Sequence, residues 1–308
     1  MQICARYLWR YVFAIVLAML AACLTNSGIE SGLGLAAGSL AWGPALFRAL
    51  LGFHAIWLLM LPSDFHPRPA MTTPPIQRRW TRTTGAIVVG LMLCAAAVRL
   101  WRLGSDLWLD EVLMLVQLVR LPIARILTSF SSQNQHMLYS ILAHASVAAF
   151  GESAWALRLP SMIFGCLSIW PMYLLARLVA GRREALLAST FMVFSTHHVW
   201  FSQNARGYMG LLFFSLLATW AWLKACSSES TRWWVWYVGA VVLGVWMNMT
   251  MIFIPASHFA IHVFSSRRRW HKPYVAWLLA GSLTLQLYAL SLPDFFQHAL
   301  HESSFASE

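Results

Sequence analysis

Long apolar blocks alternate with short polar breaks along this chain. A helix needs about 20 apolar residues to cross a bilayer. Blocks of that order occupy residues 9–25, 41–61, 85–103, 158–179, 184–201, 208–226, 233–247, 250–265 and 273–292. The stretch from Trp233 to Phe264 is too long for one span and short for two, so the expected division falls at Asn248-Met249-Thr250, the polar turn within it. The run from His136 to Phe150 suits a helix lying at the membrane interface better than one that spans. The pattern predicts an all-α, polytopic membrane protein with about nine transmembrane helices.

The breaks suggest an organisation. Residues 62–84 carry Pro62, Pro67, Pro69, Pro74 and Pro75 with four arginines and read as a Pro/Arg linker. They separate an accessory two-helix unit, 1–61, from a seven-helix module, 85–292, with a short segment, 293–308, after it. Within the module, residues 104–157 form the longest non-spanning loop. Its pieces Asp110–Arg120, Pro122–Phe130 and His136–Phe150 are amphipathic and predict surface helices. The first apolar run has no small-residue cleavage site after it, so it reads as a retained span, not a signal peptide. No internal repeat or low-complexity tract is visible.

Composition changes the picture only by excluding rivals. The chain has 308 residues, 59% hydrophobic and 11% charged. Soluble domains carry about 25% charged residues. Cys4, Cys23, Cys94, Cys166 and Cys226 lie mostly inside apolar runs, without disulfide or metal spacing. A formal charge of +11 raises the question of nucleic acid. The positions of the charges answer it. With the N-terminus inside, Arg6, Arg10, Arg68, Arg78, Arg79, Arg82, Arg177, Arg182, Arg183, Lys224, Arg232, Arg267, Arg268, Arg269 and Lys272 all fall in inside segments. Those are fifteen of the 22 Lys and Arg. Glu30, Asp106, Asp110, Glu111, Glu152, Asp294, Glu302 and Glu308 fall outside. This is the positive-inside pattern, with the C-terminus outside. No folded basic domain remains to bind nucleic acid. Of the other basic residues, Arg48 is intramembrane, and Arg99, Arg102, Arg120, Arg125, Arg158 and Arg206 lie near the outer face.

The candidate chemistry sits on that outer face. Asp110 and Glu111 follow Trp108 at headgroup depth, where a carboxylate can take a proton from an acceptor; helix capping is the competing reading. Arg206, in Gln203-Asn204-Ala205-Arg206-Gly207-Tyr208, can snorkel or can grip phosphate through a bidentate fork. Arg158 opens a span in Ala156-Leu157-Arg158-Leu159-Pro160-Ser161, with Pro160 expected in its first turn. His136, in Gln135-His136-Met137-Leu138-Tyr139, is an acid/base candidate or a cap. His197-His198 is a weak metal pair, because adjacent helical residues diverge. No cofactor has a defined site here, and dependence on a divalent metal stays open.

The order of these motifs resembles that of the GT-C type membrane glycosyltransferases, in particular the bacterial group related to protein O-mannosyltransferases and the aminoarabinose transferases of lipid A. The resemblance rests on Asp110-Glu111, on His136 to Tyr139, on Ala156 to Ser161 and on Ser202 to Tyr208, over residues 85–292. It implies inverting transfer of a sugar from a polyprenyl-phosphate donor to a lipid, glycan or protein acceptor, at the periplasmic face of a bacterial inner membrane. It makes Asp110 the catalytic carboxylate, as base or as organiser of the site, with Glu111 beside it, and gathers His136, Tyr139, Arg158, Gln203, Arg206 and Tyr208 around the substrate. The sequence departs from the family pattern where Met137 and Leu138 stand in place of a Pro-Pro pair. The resemblance also implies further helices beyond Glu308. A truncated remnant or non-catalytic membrane subunit is therefore one alternative, and a transporter of lipid-linked sugars is another. A transporter would carry repeated halves and charges near the midplane.

Overall fold

The computed structural model describes residues 2–60, 81–130, 135–228, 230–265 and 271–297. Fifteen α-helices, and no strand, occur among them. In chain order they are α1 (Gln2–Cys23), α2 (Asn26–Gly32), α3 (Gly43–Met60), α4 (Arg82–Leu100), α5 (Leu109–Met114), α6 (Ile123–Thr128), α7 (Met137–Phe150), α8 (Ala154–Leu167), α9 (Ile169–Val179), α10 (Arg182–Phe194), α11 (Thr196–Ser202), α12 (Tyr208–Cys226), α13 (Arg232–Met247), α14 (Phe253–Ser265) and α15 (His271–Tyr288). A π turn, Leu115–Val119, continues α5, and a 3-10 turn, Met249–Ile252, joins α13 to α14. Most of the expected linker, the Arg267–Arg269 cluster and the tail after Gln297 lie outside the described residues.

Among the described residues, four helices are long and apolar enough to cross a membrane: α3, α4, α12 and the 26-residue run Ala154–Val179 made of α8 and α9. The α1–α2 pair passes the same test only jointly, and it bends by 92°. The architecture is therefore that of a multi-pass, all-helical membrane protein. The nine expected spans do not all appear as single long helices. Block 184–201 is interrupted at Ser195, whose hydroxyl accepts from the His198 amide and starts α11. The α13–α14 stretch breaks at Asn248, where the sequence placed its polar turn; the Asn248 side chain accepts from Thr250 N at 3.0 Å.

Local chemistry explains the ends of the helices. Thr81 caps α4, its hydroxyl accepting from Thr84 N at 3.2 Å. Glu111 reaches back to Trp108 N at 2.9 Å and starts α5. Gly151 closes α7 at φ +84°, a conformation glycine adopts without strain. The helix carrying Arg158 begins at Ala154, four residues earlier than expected, under a Ser153 cap. Pro160 is therefore internal and not in the first turn. A proline inside a helix cannot bond the carbonyl four residues back. Here that carbonyl belongs to Ala156, and Ser146 Oγ of α7 donates to it at 2.6 Å. The next carbonyl, Leu157, accepts from Tyr139 OH at 2.8 Å. Two polar side chains of α7 thus serve carbonyls on the proline turn of α8.

Two compact units form. One is drawn from Met1–His66, Pro122–Asn134 and Ser282–Glu308; the other from Pro67–Leu121 and Gln135–Gly281. These borders differ from the sequence borders at 61 and 84, because the first unit also takes in α6 and the end of α15. In the first unit Ala14, Ala18 and Ala21 of α1 and Gly52 and Ala55 of α3 line an open apolar cleft. Arg48, expected within a span, bonds Ala21 O and Asn26 Oδ1, each at 3.2 Å. Glu30 is buried, its carboxylate held by the Gly38 and Leu40 amides. The second unit carries every candidate site residue.

Candidate active site

The site is built where helix ends of the second unit meet: the C-termini of α4, α11 and α13 and the N-termini of α5, α7, α8 and α12. Glycine permits this closeness at two places. A Cβ on Gly207 would stand 2.6 Å from Met247 O and 3.2 Å from the His136 ring. One on Gly165 would strike Ser202 Oγ at 2.2 Å.

Glu111 and Arg158 lie at the centre, 0% and 1% exposed, joined at 2.6 Å. Glu111 Oε1 accepts from Arg158 Nε at 2.8 Å and from Ala205 N at 2.7 Å. Its Oε2 accepts from Arg158 Nη2 and from Trp108 N. Arg158 Nη1 donates to Leu103 O and Ser105 O, and Nη2 donates to Asp106 O as well. A guanidinium has five N–H donors, and all of Arg158's end on protein oxygens. The pair therefore staples three segments: the 103–111 loop, the start of α8 and the turn before α12. A buried pair is tolerable only when it is satisfied in this way.

Asp110, one residue earlier, points elsewhere. Its Oδ2 meets Arg206 Nη2 at 2.7 Å, with the Asp110 side chain 58% exposed and Arg206 8%. Ser161 Oγ donates to Arg206 O at 2.8 Å, fixing the turn that carries this arginine. The Arg206 guanidinium stands 6.0 Å from the centroid of the Tyr208 ring. Tyr208 packs edge-on against His136 and Phe201, at 5.7 and 5.3 Å between centroids. Phe201 in turn meets Trp200, and Trp200 meets Trp108. An aromatic row thus runs from the Arg206 side of the site to the exposed Trp108 and Trp200.

His136 is buried beside this row. The Met247 carbonyl faces its ring but lies outside good hydrogen-bonding geometry, so both nitrogens are enclosed without a close partner. Burial, with the Arg206 charge adding to it, pushes the ring down to about 4, so it is neutral at ordinary pH. Gln203 uses its amide on Arg99 O, at 2.9 Å, and on Trp101 O, tying α11 to the end of α4. Tyr139 is fully buried against Leu157.

The structure thus brings Asp110, Arg206, Tyr208 and His136 into one neighbourhood, with Glu111 and Arg158 beneath it. Gln203 and Tyr139 hold the surrounding helices. The outer-face arginines do not form one cationic patch. Arg99 is wholly buried, with its five donors ending on Ala95 O, Val193 O, Met192 O, Ser202 Oγ and His198 Nδ1. Arg120 pairs with Glu152 on the surface at 2.6 Å. Sequence reasoning missed Ala205 N, Ser161, Gly207 and Gly165; Ser161 and Gly207 sat inside quoted motifs, whereas a backbone amide leaves no mark in a sequence. Among the described residues, no three His, Cys, Asp or Glu side chains converge to hold a metal ion.

A family model described as dolichyl-phosphate-mannose-protein mannosyltransferase matches residues 135–292. The chain belongs to this family of membrane glycosyltransferases. The match includes the His136, Arg158 and Arg206 motifs of the glycosyltransferase and begins after the Asp110-Glu111 loop. The contacts just described fasten that loop to the matched part, through Arg158, Ala205 and Arg206. No curated protein and no solved structure matches the chain.

Proposed function

We propose that this protein transfers a sugar from a polyprenyl-phosphate donor to an acceptor hydroxyl or amine, at the periplasmic face of a bacterial inner membrane. The observation that carries the reading is the Asp110–Arg206 pair: an exposed carboxylate in contact with a guanidinium beside an aromatic row. Arg206 takes the donor phosphate, which guanidinium geometry suits. Asp110 takes the proton of the acceptor. The acceptor oxygen or nitrogen bonds to sugar C1 as the C1–O bond to phosphate breaks, and the phosphate leaves with the electron pair. Attack opposite the leaving group inverts the configuration at C1. Glu111 and Arg158 do not touch substrate in this reading; they position the base and Arg206. His136, neutral and enclosed, and Tyr208 pack the wall behind Arg206. Orientation is supported by the basic residues of the inside segments.

The transporter alternative draws on one feature, the α10–α11 break with a buried arginine beside it. Arg99 there spends every donor on the protein and offers none to cargo.

Radiolabelled polyprenyl-phosphate sugar added to membranes holding the full-length gene product tests the proposal. The expected result is label in a water-soluble or lipid acceptor with C1 inverted, lost in Arg206→Gln. Absence of turnover, with donor unconsumed, would favour the non-catalytic subunit.

A further inference from the structure

We propose that the Arg206–Asp110 pair is an internal stand-in for the donor: the carboxylate occupies the phosphate's place on Arg206 until the donor displaces it. The inference rests on the reading of Arg206 as the phosphate ligand and adds to it an order of events. The two nearest buried arginines, Arg158 and Arg99, have all five donors spent on protein oxygens or on His198. Arg206 differs in the exposure of its acidic partner. Its guanidinium is nearly enclosed, yet the group opposite it at 2.7 Å is on an exposed side chain that can swing away. A carboxylate and a phosphate oxygen compete for the same N–H donor with the same geometry. The backbone under Arg206 is fixed by Ser161 and by the Ala205 amide on Glu111, so the exchange moves Asp110 and leaves Arg206 in place.

The consequence is ordered binding. With Arg206 on Asp110, the carboxylate is neutralised by a cation and cannot engage an acceptor proton well. Donor phosphate takes Arg206, and Asp110 is released facing the acceptor. After transfer, Asp110 holds the acceptor proton and passes it to solvent. The recovered carboxylate then competes again for Arg206 and helps expel the polyprenyl phosphate product.

The test is a double-mutant cycle read as binding of polyprenyl phosphate to the full chain in nanodiscs. Asp110→Asn removes the internal competitor and is expected to tighten binding about fivefold, the size of a good partly exposed ion pair. Arg206→Gln is expected to weaken it. The deciding arm is the pair of substitutions together: Asp110→Asn gains nothing in the Arg206→Gln background, because the gain acts through Arg206. An equal gain in both backgrounds would mean simple charge repulsion and would overturn the stand-in. So would unchanged or weaker binding in Asp110→Asn alone. If wild type binds no polyprenyl phosphate while remaining folded, the reading of Arg206 as phosphate ligand fails, and the stand-in with it.

Discussion

Asp110 and Glu111 are consecutive carboxylates on one short helix, and each meets an arginine, yet the two pairs are different devices. A helix turns about 100° per residue, so when Glu111 enters the core Asp110 is left at the rim. Glu111 accepts four hydrogen bonds and has no contact with solvent. Asp110 has one ion pair and a largely exposed side chain. A saturated, buried pair has nothing left to offer a substrate and much to lose if broken. A pair whose carboxylate is on an exposed side chain can exchange that partner. The proposed chemistry is therefore assigned to the second pair, with its geometry held by the first.

Substitutions can break this contrast. The largest cost to stability is expected from Glu111→Ala, which strands Arg158 inside the protein. Removing one partner of a buried pair costs about 3–5 kcal/mol, to be read as a lowered thermal midpoint in detergent. Gly207→Ala is next, because its Cβ meets the Met247 carbonyl, and overpacking of that kind costs about 1–3 kcal/mol. Tyr139→Phe removes a buried hydrogen bond to Leu157 O on the proline turn, for about 1 kcal/mol. At neutral pH the smallest effect is expected at His136. Its folded value is depressed to about 4, against 6.5 ordinarily. The unfolded chain therefore binds the extra proton first as pH falls, and stability drops between about pH 6.5 and 4. His136→Gln should remove that component of the slope, seen by comparing the pH profiles of the two unfolding midpoints.

The sequence made some of this contrast legible and hid the rest. Run lengths located the helices of the 104–157 loop and the break at Asn248, since hydrophobic period and polar turns are local signals. They overestimated the continuity of the spans, because the stop at Ser195 depends on one serine cap and a buried arginine from α4. Motif order put Asp110, Glu111, His136, Arg158 and Arg206 on one expected face, and the structure places all five in one unit. It could not say which acid faces inward, because that depends on the Ala205 amide and the 103–106 carbonyls, contacts distant in sequence. Nor could it tell that Pro160 lies inside a helix, a choice made possible by Ser146 and Tyr139 on another helix.

The central claim is that Asp110 performs chemistry while Glu111 holds the fold. Its most direct test is the transfer rate per folded molecule of Asp110→Asn in vesicles containing labelled polyprenyl-phosphate sugar, with the thermal midpoint measured on the same sample. The account expects a fall of about 10²–10⁴-fold, the usual worth of a general base, with the midpoint lowered far less than by Glu111→Ala. Transfer within a factor of about two of wild type, far inside that range, would contradict it.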